Sequence, residues 1–163
     1  MKTSLLDQIH HDLMSEAIEL SLKNIRDNNG GPFAALIVKK GAIVSKGTNL
    51  VTTANDPTAH AEIVAIREAC ASLKTFWLDG CEIYTTCEPC PMCLGAIYWA
   101  RLSRIYYANS RVDAARIDFD DKLIYREIAL PISRRKIPST RLLQKEAIVA
   151  FREWERKKDK TPY

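Results

Sequence analysis

This chain of 163 residues has no apolar run long enough to cross a bilayer. Its longest strongly apolar stretches, such as residues 33–38, are strand-sized, whereas a spanning helix needs about 20 apolar residues. Residues 1–14 contain one lysine and lack the apolar core of an export signal. These absences predict a soluble, cytoplasmic protein with no membrane partner.

Internal repeats, low-complexity segments and a domain linker are also missing. A composition of 47% hydrophobic and 27% charged residues is typical of a chain with a buried core, which excludes disorder and collagen. We therefore expect residues 1–163 to form a single domain. Five cysteines are an odd number in a chain large enough to fold without disulfides, so reduced thiols or a metal site are favoured.

The net charge of +4 is concentrated at one end of the chain. Residues 134–163 contain ten Lys or Arg and four Asp or Glu. A basic tail of this kind can indicate an RNA partner. The favoured interpretation is a solvated helix whose cations suit its C-terminal end, so no nucleic-acid partner is expected.

The hydrophobic pattern predicts alternating helices and strands. Apolar residues recur at helical spacing after Ser4, and both His10 and His11 are interpreted as surface residues of that helix. Two strands joined at Lys40 and Gly41 predict a hairpin. The later elements are predicted as a helix from about Pro57, a strand at 81–86, a helix at 91–101, a strand at 104–108, a short helix near 120 and, after a loop to Ser139, a last helix that carries Leu143, Ala147, Phe151 and Trp154. The strand–helix–strand order predicts parallel neighbours in one α/β sheet.

Three potential metal ligands lie near predicted helix starts: His60, Cys90 and Cys93. Cysteines three positions apart share a helix face, so both sulfurs can reach one metal ion. The positive end of the helix also favours the thiolate form that binds zinc. Three protein ligands leave a fourth position for water, which is the arrangement of catalytic rather than structural zinc.

Glu62 follows His60 by two positions and is a candidate general base. A carboxylate beside a zinc-bound water can take a proton from that water and pass it to a leaving group. Residues i and i+2 of an ideal helix diverge by about 200°. Both side chains can therefore serve one site only if the end of the helix faces the metal.

Cys87 raises two alternatives to a three-ligand zinc site. Cys87, Cys90 and Cys93 resemble the start of a ferredoxin run, but the position of the next cysteine is Ile97. Cys87 could also be a fourth zinc ligand, although its place in a strand favours a buried small residue.

His60-Ala61-Glu62 followed by Pro89-Cys90-Pro91-Met92-Cys93 is the signature of zinc-dependent nucleobase deaminases. On these motifs the chain resembles cytidine-deaminase-like proteins and, more closely, the small bacterial guanine deaminases. The stretches 49–70, 84–101 and 119–127 carry the closer resemblance. It implies hydrolytic deamination of guanine to xanthine and ammonia, with Glu62 as the proton shuttle.

The resemblance also implies a fold and an assembly. The expected fold is a three-layer α/β/α sandwich with a five-stranded mixed sheet, binding one zinc ion per chain through His60, Cys90 and Cys93. The expected assembly is a homodimer in which residues 140–163 cross to the partner. The substrate contacts that the resemblance implies are Asn49, Asp121, Phe33, Trp99 and, from the partner, Tyr163.

Other functions stay open at this point. A tRNA adenosine deaminase shares both motifs and would account for the basic tail, and a guanosine deaminase would use the same base-reading residues. A non-catalytic zinc module would have no need of Glu62. Without the resemblance, Asp121 could equally be the cap of a short helix.

Overall fold

A computed structural model describes residues 4–162, which divide into two compact units between Asp121 and Lys122. The first unit contains four strands and most of the helices. Its elements are α1 Leu5–Arg26, β1 Ala34–Lys39, β2 Ala42–Thr48, α2 Val51–Ala54, α3 Ala61–Leu73, β3 Cys81–Cys87, α4 Pro91–Trp99, β4 Arg104–Asn109 and α5 Arg111–Ala115. The second contains α6 Lys122–Ala129, a 3₁₀ turn Ile132–Arg134 and α7 Gln144–Arg156.

The sheet has the order β2-β1-β3-β4. The β1 strand pairs antiparallel with both β2 and β3, whereas β3 and β4 are parallel and joined through α4. The expected mixed sheet is therefore confirmed. The prediction that β1 is a covered central strand is also confirmed, because its first five residues are buried.

Helices cover both faces of the sheet. On one face, Leu13 and Ala17 of α1 pack on Leu36, Val38 and Tyr84. On the other face, Ala65 of α3 and Ile97 of α4 pack on the alternate strand positions Ala35, Ile37 and Ile83. This alternation is the period of a strand, and it produces the three layers that the resemblance implied.

The expected fifth strand is absent from residues 4–162, where the sheet has four strands. The chain leaves β4 at Asn109 and turns at once into α5. Ser110 and Asp113 form a reciprocal capping box at the start of that helix. In the capping box these two side chains accept hydrogen bonds from each other's backbone N–H groups, so the chain continues as a helix and not as a further strand. The prediction of five strands was therefore wrong for the described residues.

The first described helix departs from the prediction at His10. His10 lies half-buried on the sheet, with Nδ1 2.5 Å from the Tyr84 hydroxyl and its ring 4.6 Å from that of Tyr106. The predicted surface position holds only for the exposed His11. Helical periodicity could not locate His10, because its partners are on strands more than 70 residues away.

Small residues bring α3 close to the sheet. A Cβ atom on Gly47 of β2 would lie 2.2 Å from the Ala61 carbonyl oxygen and 2.5 Å from the Ala65 amide nitrogen. Only glycine permits such a close approach of two backbones. The contact fixes the first turn of α3, which carries the candidate site.

The second unit contains α6 and α7. Arg135 donates to the Leu130 carbonyl, and the Lys136 amide donates to the Glu127 carboxylate at 2.5 Å. Phe151 and Trp154 of α7 are 74% and 46% exposed. In the described part of the chain, no helix is long and apolar enough to span a membrane.

Candidate zinc centre and active site

Two helix N-termini carry the candidate metal ligands. The helix predicted from Pro57 begins instead at Ala61, and His60 is its N-cap with extended backbone angles (φ −67°, ψ 155°). Residues 57–58 form a turn, in which Asp56 accepts hydrogen bonds from the amide and the hydroxyl of Thr58. This correction removes the geometric conflict between His60 and Glu62. The end of α3 faces the site, so a residue before the helix and one in its first turn can converge.

The second N-terminus is that of α4. Cys90 is its N-cap, Pro91 its first residue, and Cys93 lies in its first turn. Proline suits this position because its missing N–H has no partner at a helix start and its fixed φ matches the helix. The first helical turn then places both sulfurs on one side.

Across residues 4–162, the side chains grouped closely enough to hold a metal ion are those of His60, Cys90 and Cys93, whose ligand atoms lie within 4.8 Å of one another. His60 Nδ1 is 3.6 Å from each of the two sulfurs. Tetrahedral zinc, with bonds of about 2.3 Å to sulfur and 2.0–2.1 Å to nitrogen, separates such atoms by about 3.6 Å. The donor set therefore fits zinc and leaves one tetrahedral position open.

Cys90 and Cys93 shift each other's pKa in opposite directions. A hydrogen bond from Cys93, together with the neighbouring His60, lowers the pKa of Cys90 to about 4 although the side chain is partly buried. The same hydrogen bond, with burial, raises the pKa of Cys93. The pKa of His60 is raised, mainly by its hydrogen bond to Cys90. A thiol with a lowered pKa is suited to bind a cation, because the thiolate is the form that ligates zinc.

Glu62 lies against this cluster. Its side chain is buried, with Oε2 3.4 Å from the Cys93 sulfur and Oε1 3.5 Å from the Thr85 hydroxyl. Burial is the largest cause that raises the pKa of Glu62. A carboxyl group with a raised pKa, next to the open metal position, is suited to accept and return a proton near neutral pH.

Asn49 follows β2 and is buried beside the loop that joins α1 to β1. Its side-chain oxygen accepts from the backbone N–H groups of Gly31 and Val51, at 3.3 and 3.4 Å. Its own backbone N–H donates to the Phe33 carbonyl. Since the oxygen is used by the backbone, the amide nitrogen is the end left to meet a ligand.

Phe33 and Asp121 were predicted to contact substrate from different parts of the chain. Phe33 is half-buried and packs edge-on against Phe119, with ring centroids 4.8 Å apart. Asp121 is partly buried, and burial followed by the nearby Cys90 charge raises its pKa.

Three other predicted residues have different outcomes. Trp99 is the last residue of α4 and is 70% exposed, so its substrate contact stays a prediction. Tyr163 lies outside the described residues. Cys87 is not part of the metal cluster: its sulfur lies 3.7 Å from the Ser110 carbonyl, and burial raises its pKa to about 11. Its interpretation as a buried small residue, rather than a fourth ligand, agrees with this geometry.

Two side chains border the site without any signal from sequence spacing. Thr85 reaches Glu62 from β3, and Phe119 packs on Phe33. Thr85 is followed by Thr86 in a strand that is buried on both faces, so no alternation distinguishes the two. Phe119 was noted as part of a resembling segment, but its ring contact depends on a residue 86 positions earlier.

The motifs and the fold agree with a known family model. Residues 7–109 match the model described as the cytidine and deoxycytidylate deaminase zinc-binding region. That range contains His60, Glu62, Cys90 and Cys93 and ends with β4.

Similarity to one characterised relative extends over nearly the whole chain. The guanine deaminase of Bacillus subtilis is 48% identical over 94% of this chain and 99% of its own length. Its X-ray structure superposes with a TM-score of 0.92, covering 94% of this chain and 98% of that one.

Two further relatives are less similar or match a shorter region. A tRNA-specific adenosine deaminase of Aquifex aeolicus is 49% identical, but over 47% of this chain and 51% of its own length. A protein solved in complex with 2,6-diaminopurine is 32% identical to this chain in sequence. Its structure superposes with a TM-score of 0.65, covering 93% of this chain and 83% of that one.

Proposed function

The chain belongs to the cytidine and deoxycytidylate deaminase zinc-binding family, and we propose that it is a guanine deaminase, converting guanine and water to xanthine and ammonia. The observation that carries the chemistry is the buried Glu62 carboxylate against the His60, Cys90 and Cys93 cluster. The substrate follows from the near full-length likeness to a guanine deaminase.

His60, Cys90 and Cys93 hold the zinc ion, and zinc supplies, when bound, an acidified water as the nucleophile. Glu62 accepts one proton of the attacking water while the water oxygen bonds to C2 of guanine. Glu62 then delivers this proton to N3, takes the remaining proton from the hydroxyl group on C2, and delivers it to the 2-amino nitrogen. The C2–N bond breaks, ammonia leaves, and xanthine remains, so a single buried carboxyl group serves every proton transfer.

Asn49 orients the purine as a hydrogen-bond donor. Its oxygen is already engaged by the Gly31 and Val51 amides, so its –NH₂ group faces the acceptor atoms of the base. The backbone bond to Phe33 links this donor to the aromatic wall of the pocket. Asn49 therefore binds the edge of the purine ring, and Phe33 packs against its face.

Asp121 supplies an acceptor for the N–H groups of the guanine 2-amino edge. A carboxylate near the leaving nitrogen can bind the amine before the reaction and let ammonia depart after it. Phe33 and Trp99 wall the ring, and Tyr163 closes the pocket. A site built to hydrogen-bond a particular edge discriminates strongly, because a base lacking that edge leaves buried polar groups unpaired.

One assay separates this function from the alternatives. Ammonia release is measured side by side for guanine, guanosine, adenine, cytosine, cytidine and tRNA, using zinc-loaded protein. We expect turnover of guanine above the other five. Preference for guanosine would move the assignment to the nucleoside, and release from tRNA alone would contradict it. The tRNA adenosine deaminase function is less supported, because the Aquifex aeolicus enzyme matches about half of this chain in sequence, whereas the guanine deaminase matches 94% of it.

The protein acts as a homodimer in which residues 140–163 cross to the partner and place Tyr163 over its pocket. The apolar stripe of α7 supports this arrangement, since Phe151 and Trp154 are substantially exposed and a stripe of this kind needs a covering surface. The five free thiols support a cytoplasmic location, where cysteines stay reduced.

Complementation tests the exchange of tails. A Glu62→Gln chain and a chain lacking residues 161–163 are each expected to be inactive or weak. After joint unfolding and refolding with zinc, a heterodimer has one pocket with both an intact Glu62 and an intact donated tail. We expect partial recovery of activity. Heterodimers confirmed by mass but without recovery would place each tail over its own chain's site.

A further inference from the structure

Asn24 is a buried polar residue that none of the proposed chemistry uses. It lies in the last turns of α1 and is 3% exposed. Its Nδ2 group donates to the Gly31 carbonyl and to the Asn49 carbonyl, both at 3.0 Å. Both amide protons are therefore engaged by backbone oxygens on two different segments.

One of the two acceptors of Asn24, Gly31, also helps to fix the Asn49 side chain, and the other acceptor is the Asn49 backbone carbonyl. Gly31 accepts from Asn24 through its carbonyl and donates through its N–H to the Asn49 Oδ1 atom. Asn24, Gly31 and Asn49 therefore close a ring of three hydrogen bonds. Because Asn24 and Asn49 are buried, they have little access to replacement partners in water.

The loop between α1 and β1 is held tightly within this ring. A Cβ atom on Gly30 would lie 2.2 Å from the Asn49 carbonyl oxygen. A Cβ atom on Gly31 would lie 3.2–3.3 Å from the rings of Phe119 and Phe33. The loop thus contacts both residues proposed to hold the purine, the edge-binding Asn49 and the ring-stacking Phe33.

We infer that Asn24 is a positioning residue, which sets the direction of the Asn49 amide toward the purine by clamping the Gly31 loop. This inference rests on the proposed function, because Asn49 is there the purine-binding amide. Loss of the clamp removes a donor from the Asn49 carbonyl and one of two donors from the Gly31 carbonyl, which also accepts from the Phe33 amide at 2.8 Å. The loop then relaxes and Gly31 no longer holds the Asn49 oxygen, which keeps the Val51 amide at 3.4 Å, so the donor end of Asn49 is less firmly oriented.

A double-mutant cycle separates positioning from a general structural role. The variants are Asn24→Leu, which matches the side chain in size without its donors, and Asn49→Ala, alone and combined. Asn24→Ala is a second version in case leucine does not fit the loop. Ser21→Ala is the matched control. Ser21 is also buried on α1, but its hydroxyl donates only to the Ile18 carbonyl of the same helix.

With guanine as substrate and zinc fully loaded, we expect Asn24→Leu to lower kcat/KM by about tenfold. In the Asn49→Ala background the same substitution should change kcat/KM by less than about twofold, because the residue it acts through is gone. Ser21→Ala should stay within about twofold of the parent protein. A tenfold effect of Asn24→Leu that persists without Asn49 would overturn the inference, as would an Asn24→Leu variant as active as wild type.

A second readout does not depend on the reaction. In ¹H–¹⁵N spectra of the zinc-loaded protein, the Asn49 –NH₂ pair is assigned by its loss in Asn49→Ala. We expect Asn24→Leu and Asn24→Ala to move this pair to the averaged position of mobile amides, whereas Ser21→Ala leaves it in place. An unmoved pair would overturn the clamp even if guanine proved not to be the substrate. Inactivity of the wild-type protein on guanine, with the pair moved as expected, would instead refute the proposed function alone.

Discussion

Replacing Glu62 with glutamine removes one proton acceptor and almost nothing else. Glutamine has the same length and keeps an oxygen that can accept from Thr85, 3.5 Å from the carboxylate in the wild-type chain. The three metal ligands are untouched. The variant should therefore bind zinc as the parent does, while losing the only buried carboxylate beside the open metal position among the residues described.

The size of the effect follows from the number of steps that Glu62 serves. Positioned general acid–base catalysis contributes about 10²- to 10⁴-fold to a single proton transfer, equivalent to about 3–5 kcal/mol of the activation free energy. Glu62 takes up two protons in turn, one from the water and one from the hydroxyl group on C2, and returns them to N3 and to the 2-amino nitrogen of the purine. Because no other described carboxylate contacts the cluster ligand Cys93, we expect kcat to fall at the upper end of that range.

Two measurements on the same sample test this reasoning. Zinc per chain is determined by elemental analysis, and ammonia release from guanine gives kcat and KM. Glu88→Gln is the matched control, since its carboxylate accepts from the Arg111 amide at 3.1 Å in the same region but does not contact the cluster. We expect Glu88→Gln to keep most activity. A Glu62→Gln variant within about tenfold of wild type would refute the assignment of Glu62 as the main proton shuttle.

Three further predictions concern the metal ligands, the substrate edge and the packing that supports them. Cys90→Ser and Cys93→Ser should each lose zinc and activity together, and full zinc retention by elemental analysis in both variants would contradict the ligand set. Asp121→Asn exchanges a pure acceptor for a group that also donates, so kcat/KM for guanine should fall by about 10- to 100-fold with zinc unchanged; unchanged turnover would make Asp121 a helix cap. Gly47→Ala drives a methyl group into the backbone of α3 and should lower the free energy of unfolding by about 1–3 kcal/mol in denaturant titration. Gly95→Ala, where a Cβ atom meets nothing within 4 Å, is its control and should not destabilise the protein.

The sequence determined the chemistry of the site because its parts are local. The spacing of Cys90 and Cys93 sets their relative placement within one helical turn, whatever the rest of the chain does. His60 and Glu62 likewise lie at the start of one helix, two positions apart. Residue types that bind zinc and move protons could therefore be identified without knowing the fold. The buried β1 strand was predictable for a related reason, since hydrophobic patterning reports burial directly.

Only the tertiary structure decided where those local parts meet. Thirty residues separate His60 from Cys90, and their convergence to 3.6 Å depends on α3 and α4 packing on the same face of the sheet. The start of α3 at Ala61 instead of Pro57 was not readable from sequence, because Asp56 and Pro57 suit a turn as well as a helix start.

The same limit applies to the contacts of single polar residues. His10 meets Tyr84 across 74 positions, and Asn24 meets Asn49 across 25. No periodicity encodes such pairs, because a hydrogen bond between distant segments depends on the final packing of both. Local spacing fixed the zinc ligands and the base, whereas long-range packing brought them together, gave Asn49 its orientation and left the sheet with four strands in the described chain.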